Sequence, residues 1–506
     1  MSEVPPLNVS AVDLPCQPTS VQPVDRGFCD VWKVKVTLAL ERAACRRVLA
    51  RDRWGGSLKI QVWPIDVHDV NNMRVRSVIV GLVGIVVLAG CYPATPAPPG
   101  TGARAWDTPG CGGLPAPTGS VIDVVPAQAS QLGTIVRNAD AGTTIRFADG
   151  TYNVTGDFTR SLLIDSAGIT LRGASGDPTK VVIDGAYGIG ALVYIQADDA
   201  TLTDLTLRRA TDHLVHSYPA TGSTNVERPR LHRLLLVDAG EQFVKVNPNA
   251  ARTAFVDDGA VTCSELTMTP TGRQNIERSF GCYTGGLDVH SAQDWVVRSN
   301  TFDGIYCEDG EIAEHAIHFW NGARGTLVEN NLILNSARGI GFGLRETGPG
   351  RVYPDDPYPG LYVGHYGGII RGNVITMSID QYDTGIELTQ ARGTIVVHNT
   401  VIETGAGATS FTSIDRRYAN TSVEIRNNLV RRITTRDGAG GVLSNNVTNV
   451  PSIWFVDAAA GDAHLTATAV NAIDDGFVLT PEVSGTDLDG TRFDAGPPDI
   501  GADENR

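Results

Sequence analysis

The chain has 506 residues, 42% hydrophobic and 19% charged, with 56 glycines and a formal net charge of −15. That is enough apolar material for a large core and enough glycine for many turns, which excludes a wholly disordered chain. The acidic balance argues against nucleic acid as a partner, because a phosphate backbone would be repelled except at a local basic spot.

Residues 1–72 show neither period-2 nor period-3.6 patterning, and Cys16, Cys29 and Cys45 have no metal-like spacing. This stretch reads as a disordered leader from an over-extended gene start, with Met73 the initiator. Arg74 and Arg76 then precede an apolar run, Val78 to Val87, that ends Leu88-Ala89-Gly90-Cys91. The run is short of the ~20 apolar residues of a spanning helix and suits a signal-peptide core. Residues 73–90 resemble a bacterial lipoprotein signal. That implies a mature protein lipidated on Cys91 and held in the cell envelope, at the outer membrane or cell surface, with the lipid as its only membrane contact. Residues 91–119, rich in Pro, Gly, Ala and Thr, are expected to form an extended tether.

Four cysteines remain beyond Cys91: Cys111, Cys263, Cys282 and Cys307. An even number in an exported chain suggests disulfides, with three pairings open.

After Pro126, Leu132, Ile135, Val136 and Ala139 fall at helical spacing, so a short amphipathic helix is expected to cap the start of the body. Short alternating strands follow, such as Thr144 to Phe147, Ile169 to Leu171 and Val181 to Ile183, each closed by a turn residue. Trp295 to Phe302, Thr326 to Ile333, Ile369 to Ile375, Ile395 to Ile402 and Glu424 to Val430 share one template: an apolar-x-apolar strand, a turn, then a second strand ending in Asn plus an apolar residue. The recurring Asn300, Asn331, Asn373, Asn399 and Asn428 mark one coil each. Stacked at the ~4.8 Å strand separation, they are predicted to form a buried hydrogen-bonded ladder, a structural role.

These repeats resemble the right-handed parallel β-helix family that includes pectate lyases, polygalacturonases, chondroitinase B and alginate lyases. The resemblance implies an all-β, single-stranded right-handed solenoid over residues 120–457. Residues 458–506, with Pro498-Asp499-Ile500-Gly501-Ala502-Asp503-Glu504, are similar to the closing segment of many exported bacterial β-helix proteins and are expected to cap the last coil.

Sites on a solenoid are built from outward side chains of successive coils. If Leu287 and Val289 point inward, Asp288 and His290 point out; if Ile317 and Phe319 point in, His318 and Trp320 point out. The same alternation turns Lys245, Glu387 and Asp415 outward, with Arg417 nearby. Charge is scarce in this chain, and Lys180 and Lys245 are the only lysines after the signal. A stripe holding a lysine, histidines, carboxylates and a tryptophan therefore reads as a site rather than a plain solvated face. The long insertion from Gly343 to Gly367 is expected to wall a cleft, with Arg345, Tyr353, Tyr358 and His365 joining Trp320 in contact with sugar rings.

Three functions fit. A polysaccharide lyase needs a base, here Lys245, His318 or His290, and a group against the uronate carboxylate. That group is either Arg417 or Arg345, or Ca²⁺ held by Asp288, Glu387 and Asp415. A glycoside hydrolase needs two carboxyls ~5–9.5 Å apart, which Glu387 and Asp415 on neighbouring coils satisfy. The third function is a non-catalytic surface protein that binds glycans or has a structural role. All three are expected of a monomer whose partner is a polysaccharide, and the lyase is favoured.

Overall fold

The computed structural model describes residues 104–505, save 280, 346, 349, 405–410 and 494–495, together with two short N-terminal strands. Those strands, Leu49–Arg51 and Ser57–Lys59, pair antiparallel. The rest of the leader, the signal segment and Cys91 lie outside the described residues. Among the described residues no helix is long and apolar enough to cross a membrane.

From Val121 to Ser444 the chain winds as a right-handed parallel β-helix. Val296–Arg298 pairs in parallel with Leu327–Glu329, which pairs with Ile369–Arg371 and then with Ala391–Val397. Past a sharp bend, Thr301–Asp303, Leu332–Leu334, Val374–Met377 and Thr400–Glu403 stack in the same way. The bend arises from two residues. Ser299, Asn330, Gly372, His398 and Asn427 take left-handed φ of 52° to 61°, which turns the chain, and the asparagine that follows each points inward. Asn300 donates to Asn331 Oδ1 at 2.9 Å, and Asn331, Asn373 and Asn399 repeat the bond to the next asparagine. Each carbonyl also accepts the backbone N–H of the preceding coil's asparagine, so a buried turn keeps its polar groups satisfied. The predicted ladder is present, and Asn428 extends it by bonding Asn446.

The third face is a ten-stranded parallel sheet. Its strands are β1 (Leu162–Ile164), β2 (Val193–Ile195), β3 (Val215–Ser217), β4 (Gln242–Val246), β5 (Gly285–His290), β6 (His315–Trp320), β7 (Arg338–Phe342), β8 (Thr384–Thr389), β9 (Thr412–Arg417) and β10 (Ile433–Arg436). Val193, Val215, Val244, Leu287, Ile317, Ile340, Ile386 and Ile414 fall on one register line and form a continuous inner column. Burying each aliphatic side chain stabilises the fold by ~1.5–3 kcal/mol. The same register therefore fixes what points outward.

The capping helix is present as Leu132–Arg137, preceded by a 3₁₀ turn, with Leu132 and Val136 in the main core. Two expectations are corrected. The tether is not free from Arg104 onward: Arg104 pairs with Glu265, Arg233 binds the carbonyls of Trp106 and Cys111, and Cys111 is joined to Cys263. The closing segment does not cover the last coil, where Val442 and Leu443 are exposed. Instead Phe455, Leu465, Ala472 and Ile500 pack against Val374, Ile402 and Leu429 on the flank of the helix. The last coil has few large apolar side chains to cover, whereas that flank has a column of them. The second disulfide joins Cys282 to Cys307, which settles the three open pairings.

Candidate functional site

The outer face of the sheet carries one continuous line of side chains: Tyr194, His216, Lys245, Asp288, His318, then Gly341, Glu387 and Asp415. A second line beside it holds His290 and Trp320 in register. The alternation read from the sequence thus placed Lys245, Asp288, His290, His318, Trp320, Glu387 and Asp415 on one face.

Asp288 is the hub. Lys245 Nζ donates to its Oδ2, and His290 Nε2 lies 3.2 Å from the same oxygen and 3.3 Å from Nζ. Trp320 donates its indole N–H to Oδ1 at 2.7 Å. Burial alone would push the Asp288 carboxyl up, but His290 and Lys245 beside it hold it well below its usual value. Lys245 shows the reverse balance: burial lowers its pKa, yet the Asp288 charge and Tyr283 leave it raised. Its ion pair with Asp288 holds Lys245 as a cation. His290 is the most accessible of the hub's chemically active groups, at 14% side-chain exposure against 9% for Lys245 and 8% for Asp288. Asn321 reaches its other nitrogen at 3.2 Å.

His318 is not placed as a base toward substrate. Its side chain is 1% exposed, and its Nε2 donates to the Gly343 carbonyl at 3.1 Å. Burial, with His315 next to it, lowers its pKa to about 4.

His315 was not predicted to face outward. Ala316 and Ile317 both turn into the core, which breaks the alternation and returns His315 to the outer face. Its ring then lies over Gly341, where an added Cβ would come within 2.7 Å of Nε2, and reaches Glu387 Oε2 at 3.1 Å, two strands on. Burial would raise the Glu387 carboxyl, but the hydrogen bond from His315, with Arg338, brings it down to about 2.

The three carboxylates do not converge on one cation. Asp288 and Glu387 are separated by β6 and β7, and Asp415 is held by Arg436 and Thr434 from the next coil. Asp288, Glu387 and Asp415 each have a protein partner of their own here. Glu387 and Asp415 do lie in register on neighbouring strands, as the glycoside-hydrolase pairing expects, with Glu387 bonded to His315 and Asp415 ion-paired with Arg436.

The insertion departs from the expectation in part. Tyr353, Tyr358 and Tyr366 pack with Val363 into a small core of their own, and Tyr353 donates to the Gly322 carbonyl. His365 is buried, stacked on Phe342 at 3.7 Å and bonded to Thr326, so it supports the interior. The insertion does wall a cavity of about 410 Å³, which Arg351, Tyr353 and Asp355 line against Phe255, Gln293 and Arg324. Arg345 alone among the predicted loop residues meets the stripe, with its guanidinium 5.3 Å from the Trp320 ring. Arg417 pairs with Asp437 beside a cavity of about 490 Å³. It lies three strands from His318, so it does not join the hub.

Toward the N-terminal end the face opens into a partly exposed aromatic surface. Tyr194, His216 and Tyr218 have ring centroids 4.7–6.1 Å apart, with Phe158 against Tyr194. Val193-Tyr194-Ile195 and Val215-His216-Ser217, two coils and one coil before Lys245, carry the same alternation as the predicted strands, a signal that marks Tyr194 and His216 as outward. Among the described residues, two groupings have ligand atoms close enough to share a metal: Glu314 with His315 and His318, and His464 with Asp489 and Asp503.

No protein-family model matches this chain, and no curated protein does. Among solved structures it is similar to an alginate lyase from Paenibacillus sp. str. FPU-7, at 17% identity over 65% of this chain and 99% of that one, with a TM-score of 0.42. It is also similar to pectate lyase Pel9A, at 14% identity over 77% of this chain and 97% of that one, with a TM-score of 0.39. A third is the Streptococcus pneumoniae surface protein and adhesin PfbA, at 10% identity over 64% of this chain and 94% of that one, with a TM-score of 0.33. No residue's role follows from these likenesses.

Proposed function

We propose that the protein acts on a polysaccharide laid along the outer face of the ten-stranded sheet, and that the reaction is β-elimination from a uronate-containing chain. The observation that carries this reading is the Asp288 hub, which fixes a cation, Lys245, 3.3 Å from the more exposed His290. Elimination needs positive charge against the uronate carboxylate, to acidify the proton alpha to it, and a positioned acceptor for that proton. Lys245 supplies the charge, and His290, oriented by Asp288 and Asn321, takes the proton. The glycosidic C–O bond beta to the carboxylate breaks, its electron pair leaves with the oxygen, and that oxygen is protonated by the imidazolium so formed or by water. Tyr194, His216 and Tyr218 form the platform on which neighbouring sugar rings stack. In this reading the protein works in the cell envelope, anchored through lipid on Cys91.

One observation favours a second reading, a glycan-binding protein without turnover: Lys245, Asp288 and Trp320 already satisfy one another and are each under 10% exposed. The deciding experiment incubates the full chain with a panel of uronate and neutral polysaccharides and follows ultraviolet absorbance of the unsaturated product. Product from uronate polymers alone supports the lyase. Binding without product supports the second reading, and neither binding nor product contradicts both.

A further inference from the structure

We propose that Glu314, His315 and His318 form a binding site for a divalent transition-metal ion of the zinc class. One ligand atom from each of the three lies within 4.8 Å of the others. Two histidines and a carboxylate are the donor set such ions prefer, and imidazole nitrogens disfavour Ca²⁺, which seeks oxygen.

The second observation is the hydrogen bonding behind the ligands. A histidine that binds metal through one nitrogen usually donates its other N–H to a carboxylate or a backbone carbonyl, which fixes the tautomer and aims the free lone pair. Both arrangements occur here. His315 presents Nε2 to Glu387 Oε2 at 3.1 Å, and His318 presents Nε2 to the Gly343 carbonyl at 3.1 Å. A carbonyl oxygen only accepts, so Nε2 of His318 carries the proton and Nδ1 of the neutral ring is bare. That Nδ1 lies 3.9 Å from Glu314 Oε2 and 3.9 Å from Asp288 Oδ1. His315 Nδ1 is buried, in a side chain with no exposure, and has no hydrogen-bond partner. A buried polar atom left unpaired is costly, and a metal ion would satisfy it.

The fold seats the His315 ring and leaves access through Glu314. Gly341 has no side chain where the His315 ring lies. Glu314 is 31% exposed, which leaves one side of the site open for an ion to enter with its water. The other grouping is less constrained, since His464 is 42% exposed and Asp489 69% exposed.

The test uses the full chain, stripped with a chelator and titrated calorimetrically with Zn²⁺, with Co²⁺ as a spectroscopic probe and no polysaccharide present. Failure of this proposal and failure of the carbohydrate reading are therefore distinguishable. The expected result is one equivalent of Zn²⁺ bound at a roughly micromolar Kd or tighter, with a Co²⁺ spectrum typical of nitrogen ligation. Glu314→Gln, at a position that reaches solvent, should weaken binding at least about 10-fold. Glu387→Gln, which does not touch the ion, should weaken it about 10- to 100-fold. His464→Ala should leave it unchanged. Absence of micromolar binding, or affinity that survives both Glu314→Gln and Glu387→Gln, or loss on His464→Ala, would overturn the assignment.

Discussion

Trp320 and Asp288 sit on adjacent strands, and the indole N–H of one donates to a carboxylate oxygen of the other at 2.7 Å while Lys245 takes the opposite oxygen. Asp288 is thereby held as a buried anion by groups from three successive coils. Truncating Lys245 is not a silent surface change, contrary to what an outward position suggests. Removing one partner of a buried pair leaves the other uncompensated and costs ~3 kcal/mol or more. Lys245→Ala should lower stability in chemical denaturation by about that amount, and adding Asp288→Asn should recover part of the loss. Equal stability of Lys245→Ala and wild type would contradict the hub.

The ladder gives a second prediction. Asn331 Oδ1 accepts both the backbone N–H and the side-chain amide of Asn300, and Asn331 Nδ2 donates to Asn373 and to the Val297 carbonyl. Asn331→Leu strands several of these buried groups at ~1–3 kcal/mol each, so a loss of about 3 kcal/mol or more is expected. A change under about 1 kcal/mol would mean that the ladder contributes little beyond shape.

Much of this was legible in the sequence, because a β-helix repeats one physical rule at every coil. The asparagine spacing marked the bend, and the apolar alternation at Leu287, Val289, Ile317 and Phe319 dictated which way Asp288, His290, His318 and Trp320 point. His315 escaped because Ala316 and Ile317 both turn inward, a local break that alternation does not register. The partners of Glu387 and Asp415 escaped because Arg338 and Arg436 arrive from neighbouring coils, and register between coils depends on loop lengths. The insertion misled for a related reason: Tyr353, Tyr358 and His365 lie in a segment without periodicity, so their mutual packing left no pattern to read.

Buried histidines set an acid limit on stability: burial lowers His213, His216 and His318 as it does the two that stack on phenylalanines. His365 stacks on Phe342 and His398 on Phe493, and burial lowers their pKa to about 3 and about 4. Between pH 6.5 and 4 the unfolded chain binds protons at these positions that the folded chain refuses, so stability rises with pH across that window. Asp303 and Asp503, raised to about 6 by burial, and Glu241, raised to about 7, oppose this in part. A net loss of a few kcal/mol is expected on acidification from pH 6.5 to 4. The check is the thermal midpoint against pH, together with NMR titration of the two imidazoles, which should stay neutral in the folded protein at pH 5. Titration of either near pH 6.5 in the folded state would refute it.

The disulfides should matter unequally. Cys111–Cys263 closes a sequence separation of 152 residues and pins the segment before the first coil, whereas Cys282–Cys307 closes one of 25. On the chain-entropy account, losing the longer loop costs ~4–5 kcal/mol and the shorter ~3 kcal/mol. Paired serine replacements, compared by thermal unfolding, should rank in that order, and the reverse ranking would show that local packing around Cys282 dominates.

The most direct test of the account compares the initial rate of unsaturated product formation from a uronate polysaccharide by wild type and by His290→Ala, with thermal midpoints taken on the same preparations. His290 is the proton acceptor in this account and one of the less buried members of the hub. The variant should therefore lose about 100-fold or more in rate while its midpoint shifts by only a few degrees. Equal rates for the two proteins would contradict the assignment of the Asp288 hub as the reacting centre.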